Sequence, residues 1–506
     1  MASNEQQVTK PPYAMIIILF IGAFVSILNE TLLNVALPSI MEEFDVSAAA
    51  VQWLSTGYML VNGILIPASA FFIQRFTNKR LFITAMALFT AGTVLASFSP
   101  TFGVLLAARM IQASGSAIMM PLLMNVMLFS FPVERRGAAM GMFGLVMITA
   151  PAIGPTLSGW IIEHYSWRML FDIVIPLAAL ILIFAVIKFK NITPNRDIKL
   201  DVWSIILSSI AFGGLLYGFS LAGERGWDSP HVYIPIAAGV IGLIIFITRQ
   251  LRMEDPLLEF RIYRYPMFAL SSAISIVLSM AMFSAMLLMP IYIQTLRGIS
   301  PMDSGLLMLP GAIVMGIMSP ITGKLFDKFG ARILGVIGLS ITIYTTYLFS
   351  NLTLDTSYSY LVMVYTLRMF GMSMVMMPVM TNGLNQLPAN MNPHGTAMNN
   401  TLQQVSGAIG AAFLVTIMQN RTESEAERLA EEAMSSLPAS AQPDPAQLAD
   451  LQTHIMNQSM LEGINFSFTI SVYIALVALV LTFFMKRVKP AEESKQETAS
   501  QHALES

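Results

Sequence analysis

Apolar stretches of about 20 residues or more recur from Tyr13 to Lys486. At about 1.5 Å of rise per helical residue, each is long enough to cross a hydrocarbon layer of about 30 Å. Hydrocarbon gives a backbone no water to bond, so every spanning segment must satisfy its own amides, and the lack of period-two alternation selects helices over barrel strands. The pattern predicts fourteen membrane helices, beginning near residues 14, 49, 80, 102, 137, 168, 202, 231, 267, 302, 331, 357, 395 and 463. Composition agrees, with 55% hydrophobic and only 11% charged residues in 506, a balance foreign to a water-soluble fold of this length. The expected fold class is an all-α membrane protein. Its first dozen residues are polar and the first apolar run exceeds the core of a cleavable leader, so helix 1 is expected to stay as an anchor.

An even number of spans places both termini on one side. With that side cytoplasmic, the inner loops receive Arg75, Lys79, Arg80, Arg135, Arg136 and most of the 28 Lys and Arg. Only Arg168, Arg225, Arg297, Arg421 and Arg428 fall outside, while Arg109 and Arg368 lie within helices. This asymmetry satisfies the positive-inside rule and predicts a multi-pass protein of a bacterial-type cytoplasmic (inner) membrane with both termini cytoplasmic. All five Trp fall near predicted helix ends, as interfacial anchors. Without cysteine there is no disulfide framework. The five His form no metal spacing and no Ser-His-Asp arrangement, so neither a catalytic centre nor a metal or other cofactor is expected. Nothing points to a nucleic-acid partner. No GxxxxGK[ST] loop is present, so any transport must draw on an ion gradient or on the substrate itself.

Two distant stretches match each other. "MMPLLMNVMLFSFPVERRGAAM" ends helix 4 and "MMPVMTNGLNQLPANMNPHGTAM" ends helix 12, pairing Pro121 with Pro378 and Asn125 with Asn382 at one offset of 257. "ASAFFIQRFTNKR" and "ITGKLFDKFGARI" align at 253. Six helices therefore recur after eight. The expected organisation is an N-terminal six-helix bundle over residues 14–190, an inserted helix pair over 202–250 and a C-terminal six-helix bundle over 267–486, followed by a disordered tail at 490–506. Between the last two helices, residues 420–462 are rich in Ala, Glu and Gln around a Pro-containing centre, which predicts a small helical hairpin over the outer mouth.

Within "SILNETLLNVALPSI", residues 26–40, Glu30 interrupts an oily helix. A carboxylate in hydrocarbon costs several kcal/mol unless it is paired, solvated or protonated. Ser26, Glu30 and Asn34 recur at i, i+4 and i+8, a polar stripe directed inward. Glu30 is the candidate proton site, with Asn34 and Gln112 as supporting polar groups; the alternative is an acid that only bonds a neighbouring helix. Its counterpart in the second half is Met282, so the acid does not belong to the repeated scaffold. Arg109, about two turns into helix 4, needs an acid or a polar network, for which helix 1 is a plausible supplier, unless it snorkels to headgroups. Asp172 in "WRMLFDIVIP" is either interfacial or a substrate-facing acid. The methionines of helix 12 either line a cavity for varied lipophilic ligands or simply fill core.

Five stretches together resemble the fourteen-helix drug:proton antiporters of the major facilitator superfamily. "LNETLLNVALPSI" resembles that family's helix 1 pattern LDxTxxNVALPxI, and "VQWLSTGYML" its helix 2 opening. "RMIQASGSA" is similar to RxxQGxG, "APAIGPTLSGW" to GPxxGPxxGG, and "GKLFDKFGAR" to the loop GxLxDxxGxR. Asn29 stands where the family has Asp, with Glu30 one position on, rotated about 100° around the helix. The resemblance implies a major facilitator fold and a multidrug efflux permease conferring antibiotic resistance. It assigns Arg109 to proton coupling, Gly154, Pro155 and Gly159 to an antiporter motif at the seam between halves, and Gly323, Asp327, Gly330 and Arg332 to a cytoplasmic gate loop in the form of a turn. The expected partners are small lipophilic substrates, protons and the lipid bilayer, a periplasmic adaptor having no support in the sequence. Rival readings are a carrier for one metabolite or lipid and a non-transporting receptor or scaffold.

Overall fold

The computed structural model describes residues 12–46, 48–131, 135–192, 201–388, 391–436 and 445–488. The described residues form sixteen α-helices: α1 (Tyr13–Phe44), α2 (Ala48–Arg75), α3 (Asn78–Ser97), α4 (Phe102–Ser130), α5 (Arg136–His164), α6 (Met169–Asp172), α7 (Val174–Lys188), α8 (Val202–Arg225), α9 (Pro230–Arg252), α10 (Pro266–Ile291), α11 (Pro301–Phe329), α12 (Ala331–Phe349), α13 (Tyr358–Ser373), α14 (Met376–Asn385), α15 (Asn392–Ser436) and α16 (Pro445–Phe483). The pairs α6/α7 and α13/α14 each make one crossing, giving fourteen. Among the described residues thirteen spans are long and apolar enough to cross a bilayer, and the apolar stretch Pro266–Met282 of α10 supplies the fourteenth. Helix starts follow local chemistry. Pro230, Pro266 and Pro301 occupy first turns, where the missing N–H costs nothing, while Thr77, Thr101 and Ser357 cap the amides of Arg80, Val104 and Tyr360. The tail 490–506 lies outside the described residues.

The face bearing both chain ends is called terminal here and the other distal. On the terminal face, residues 323–329 of the expected gate turn are the last turns of α11, and Gly330 alone reverses the chain with φ +78°, a conformation open to glycine. Arg487, after α16, donates to the carbonyls of Asp327 at 2.6 Å and Lys328 at 3.3 Å, satisfying the end of α11. Arg332 is exposed in the first turn of α12. On the distal face, the described residues of the segment expected as a hairpin, 420–436 and 445–462, are continuations of α15 and α16, which run on past the apolar core and keep packing together. Arg421 ties Glu425 at 3.6 Å to Glu462 of α16 at 3.5 Å.

Between membrane helices there is little hydrophobic drive, so close backbone approach and polar bonds hold the bundle. A Cβ on Gly92 of α3 would fall 2.6 Å from the Gln112 nitrogen of α4, and one on Gly338 of α12 would fall 2.5 Å from the Gly371 carbonyl of α13. Both arginine-bearing helices, α4 and α13, are therefore set by a glycine opposite. The halves meet along α5 with α11 and α2 with α15. Near the terminal face Met377, Met380, Leu384, Leu387 and Met398 join the hydrophobic core of the first half. There, too, the Glu259 amide donates to His394 Nδ1 at 3.3 Å, and His394 Nε2 lies 2.9 Å from the Gln74 side-chain amide. The pair α8/α9 packs on itself and leans on α2 and α15, with Trp227 Nε1 donating to Thr416 at 2.7 Å. Of the methionines on α13 and α14, Met369, Met372, Met377 and Met380 are buried in core, whereas Met363 faces outward. Core filling is what the stripe does.

Candidate coupling site

Successive residues on a helix point about 100° apart, and on α1 that angle separates two roles. Asn29 is buried against α4, whereas Glu30 lies deep in the bundle yet keeps accessible surface. On α4, Arg109, Gln112 and Ser116 follow at i, i+3 and i+7, one face turned toward α1, α2 and α3. Arg109 is fully buried, so it does not snorkel. Its Nη1 donates to Asn29 Oδ1 at 2.8 Å and to Gln112 Oε1 at 2.5 Å. Gln112 Nε2 passes the chain on to Thr93 Oγ1 of α3 at 2.8 Å. From α2, the buried Tyr58 places its ring 4.3 Å from the guanidinium carbon, a cation–π contact. Ser26 Oγ donates to Ser116 Oγ at 2.6 Å beside the Tyr58 hydroxyl.

Glu30 is near enough for the Arg109 charge to act on it through space, yet no ion pair joins them among the described residues. Arg109 Nε and Nη2 have no hydrogen-bond partner there. The site therefore holds one fixed cation with two vacant donor directions, and one carboxyl that water or solute can reach.

Sequence reasoning placed Glu30, Arg109 and Gln112 in one network, and the structure brings them together. It did not assign Asn29 as the direct partner of Arg109, nor include Tyr58, Thr93 or Ser116. The α4 spacing could have indicated Ser116. Nothing in "STGYML" distinguished Tyr58 from ordinary core. The polar stripe divides, since Ser26 is sealed and Glu30 is not, and the Asn34 side chain lies outside the described residues.

Asp172 lies apart from this site. It is exposed at the end of α6 and accepts from Ser97 Oγ of α3, which makes it an interfacial group. Nearby, Glu43 receives Trp167 Nε1 at 2.6 Å and Arg168 at 2.5 Å. Burial works to raise the Glu43 pKa, but those bonds and the Arg168 charge outweigh it and hold the carboxyl below its usual range. Trp167, expected as an interfacial anchor, is buried by this contact.

Helix α5 divides the expected antiporter motif between two neighbours. Gly154 packs on Thr31 of α1, within the same half, and Ser158 Oγ donates to the Leu32 carbonyl at 2.6 Å. The seam with α11 is carried instead by Gly141 and Gly144, which face Ser319, and Ser319 Oγ donates to the Gly141 carbonyl at 2.7 Å. Gly159 also faces α11, where a built Cβ would meet Met302 at 3.9 Å in ordinary contact, and the Pro155 side chain lies outside the described residues. Asp327 and Gly323, on α11, are half-buried and buried respectively.

The sequence model of the Major Facilitator Superfamily matches residues 19–411. The chain belongs to that superfamily. Within it, the lincomycin resistance protein LmrB of Bacillus subtilis is 43% identical, over 96% of this chain and 98% of that protein. The MFS-type transporter YhcA of the same organism is 46% identical, over 97% of this chain and 96% of its own length. Among solved structures, the human organic anion transporter MFSD10 superposes with a TM-score of 0.65 at 12% identity, covering 94% of this chain and all of that one, which speaks for the fold alone. This major facilitator protein is thus a multi-pass membrane transporter and belongs to the family that includes drug-resistance proteins; its relatives are transporters, not enzymes.

Proposed function

We propose that this chain exports lipophilic compounds, cationic ones included, in exchange for protons across the cytoplasmic membrane, with both termini in the cytoplasm. The observation that carries the reading is Glu30, a carboxyl deep in the bundle that retains accessible surface near a buried Arg109 with which it makes no ion pair among the described residues. A sealed packing acid would have surrendered that surface to a partner. A proton arriving from outside neutralises Glu30, removes its attraction to Arg109, and changes the relative stability of the two halves' arrangements; release inward resets them. The continuous core and the His394 contacts across the terminal face support a state closed on that side. The small-residue contact of α5 with α11 supplies a surface on which the halves can rock. The name of LmrB makes lincomycin a first compound to try.

The experiment is drug/proton exchange in proteoliposomes carrying wild type or Glu30→Gln. Wild type is expected to take up drug when the lumen is made acidic, as protons leave in exchange, and the variant to lose that coupling. Undiminished, pH-dependent exchange by Glu30→Gln overturns the reading.

A further inference from the structure

We infer that Tyr58, together with Asn29, acts as a positioning device that holds Arg109 off Glu30 and so keeps the carboxyl free. The inference starts from an unusual geometry. A guanidinium buried to the last atom, with an acid in electrostatic reach, would ordinarily close an ion pair, because an uncompensated charge in a low-dielectric interior is costly. Here it does not close. Nη1 is spent on Asn29 and Gln112, the Tyr58 ring covers the guanidinium carbon at 4.3 Å, and Nε and Nη2 point to no acceptor.

Each holder has a distinct physical part. The Asn29 amide oxygen accepts from Arg109 without carrying charge, so it fixes the side chain and leaves its field intact. The Tyr58 ring offers a negative face that steadies the cation in place of a counter-ion. Three helices supply these contacts, Asn29 from α1, Tyr58 from α2 and Gln112 from α4, so the guanidinium cannot turn toward Glu30 unless one of them yields. On this account the displacement of the acid from position 29 to position 30 has a purpose: Asn29 takes over the hold on Arg109, and Glu30, rotated about 100° away, remains reachable. The inference rests on Glu30 being the working carboxyl of the proposed function. Its direct readout, however, is the chemical freedom of that carboxyl, which does not depend on transport.

The test is modification of the purified full-length protein with dicyclohexylcarbodiimide, with labelling at Glu30 quantified by peptide mass spectrometry against exposed Glu163 as internal reference. Wild type should label at Glu30. Tyr58→Phe keeps the ring and should label at the wild-type rate. Tyr58→Met fills similar space without a π face, and Asn29→Ala removes the opposite hold. Each should let Arg109 swing onto Glu30 and slow labelling at least about fivefold, a modest ion-pair effect. Either variant suffices if the other does not fold. Absence of Glu30 labelling in wild type, unchanged labelling in both Tyr58→Met and Asn29→Ala, or an equal loss in Tyr58→Phe overturns the proposal. If Glu30→Gln exchanges normally while these labelling results hold, the proton assignment fails and the positioning role stands.

Discussion

The two halves of the transporter each bury an arginine on a membrane helix, and they treat it differently. Arg109 has Asn29, Gln112 and the Tyr58 ring, with Glu30 in electrostatic reach. Arg368 has Thr346 Oγ1 at 3.4 Å from Nε, the Ala281 carbonyl at 3.2 Å from Nη2, and Tyr365 beside it, with no ion pair among the described residues. The surroundings correspond, although the offset of 257 that aligns these two helices pairs Arg109 with Thr366. Thr346 stands 253 residues after Thr93, and Ala281 stands 252 after Asn29. Each half thus buries a guanidinium, although the two positions are two residues out of register with the repeat, whereas a neighbouring carboxyl is found in one half among the described residues. On the mechanism proposed above, what would separate a structural cation from a working one is the company of a reachable acid.

The comparison breaks most visibly if the arginines prove interchangeable. Arg109→Met should abolish proton-coupled exchange in proteoliposomes, and Arg368→Met should retain it. Because replacing a buried charge by apolar volume is often neutral or stabilising by about 1–4 kcal/mol, Arg368→Met should also keep or raise the melting temperature. Loss of coupling in both would erase the distinction. A second variant sharpens it: Met282→Glu placed in a Glu30→Gln background should not restore exchange, since no Asn29 or Gln112 equivalent holds Arg368 in the required pose. Restored exchange would show that an acid beside either arginine suffices.

Smaller effects probe the shared scaffold. Gly92→Ala and Gly338→Ala should each destabilise by about 1–3 kcal/mol, because both place a methyl group against a facing backbone. Similar losses in thermal unfolding would confirm that the halves share this packing device. The smallest effect is expected at Glu43, whose partly exposed pair with Arg168 is worth at most about 1 kcal/mol. Its folded-state pKa is held low, so its stabilisation is present above the ordinary carboxylate range and is lost as pH falls through the lowered value. Glu43→Gln should therefore melt slightly earlier than wild type at neutral pH, with the difference vanishing in acid.

Much of this was legible beforehand. All expected helix starts but the last fall within three residues of the observed ones, because apolar length is imposed by the bilayer and caps by local chemistry. The last start moved to Pro445 since its polar preface is already helical, and helix in water leaves no hydropathy signal. The gate segment read as a turn for a related reason: charged residues in "GKLFDKFGAR" look like loop, although Gly330 alone does the turning. Gly154 was assigned to the seam between halves, yet α5 offers one face to α1 and another to α11, and residue type does not say which small residue meets which neighbour.

The sequence by itself determined that the chain crosses a membrane repeatedly, that its halves are copies, and that one acid and two arginines sit where hydrocarbon forbids idle charge. Hydrocarbon enforces the spans and the rarity of charge on any chain, whatever its packing, and the repeat is read from matched residues at one offset. Only the tertiary structure decided that Asn29 rather than Glu30 grips Arg109, and that Tyr58 completes the hold. Neighbouring residues on a helix look in directions about 100° apart, and the rotation of α1 against α4 that chooses between them is fixed by contacts from three other chain segments at once.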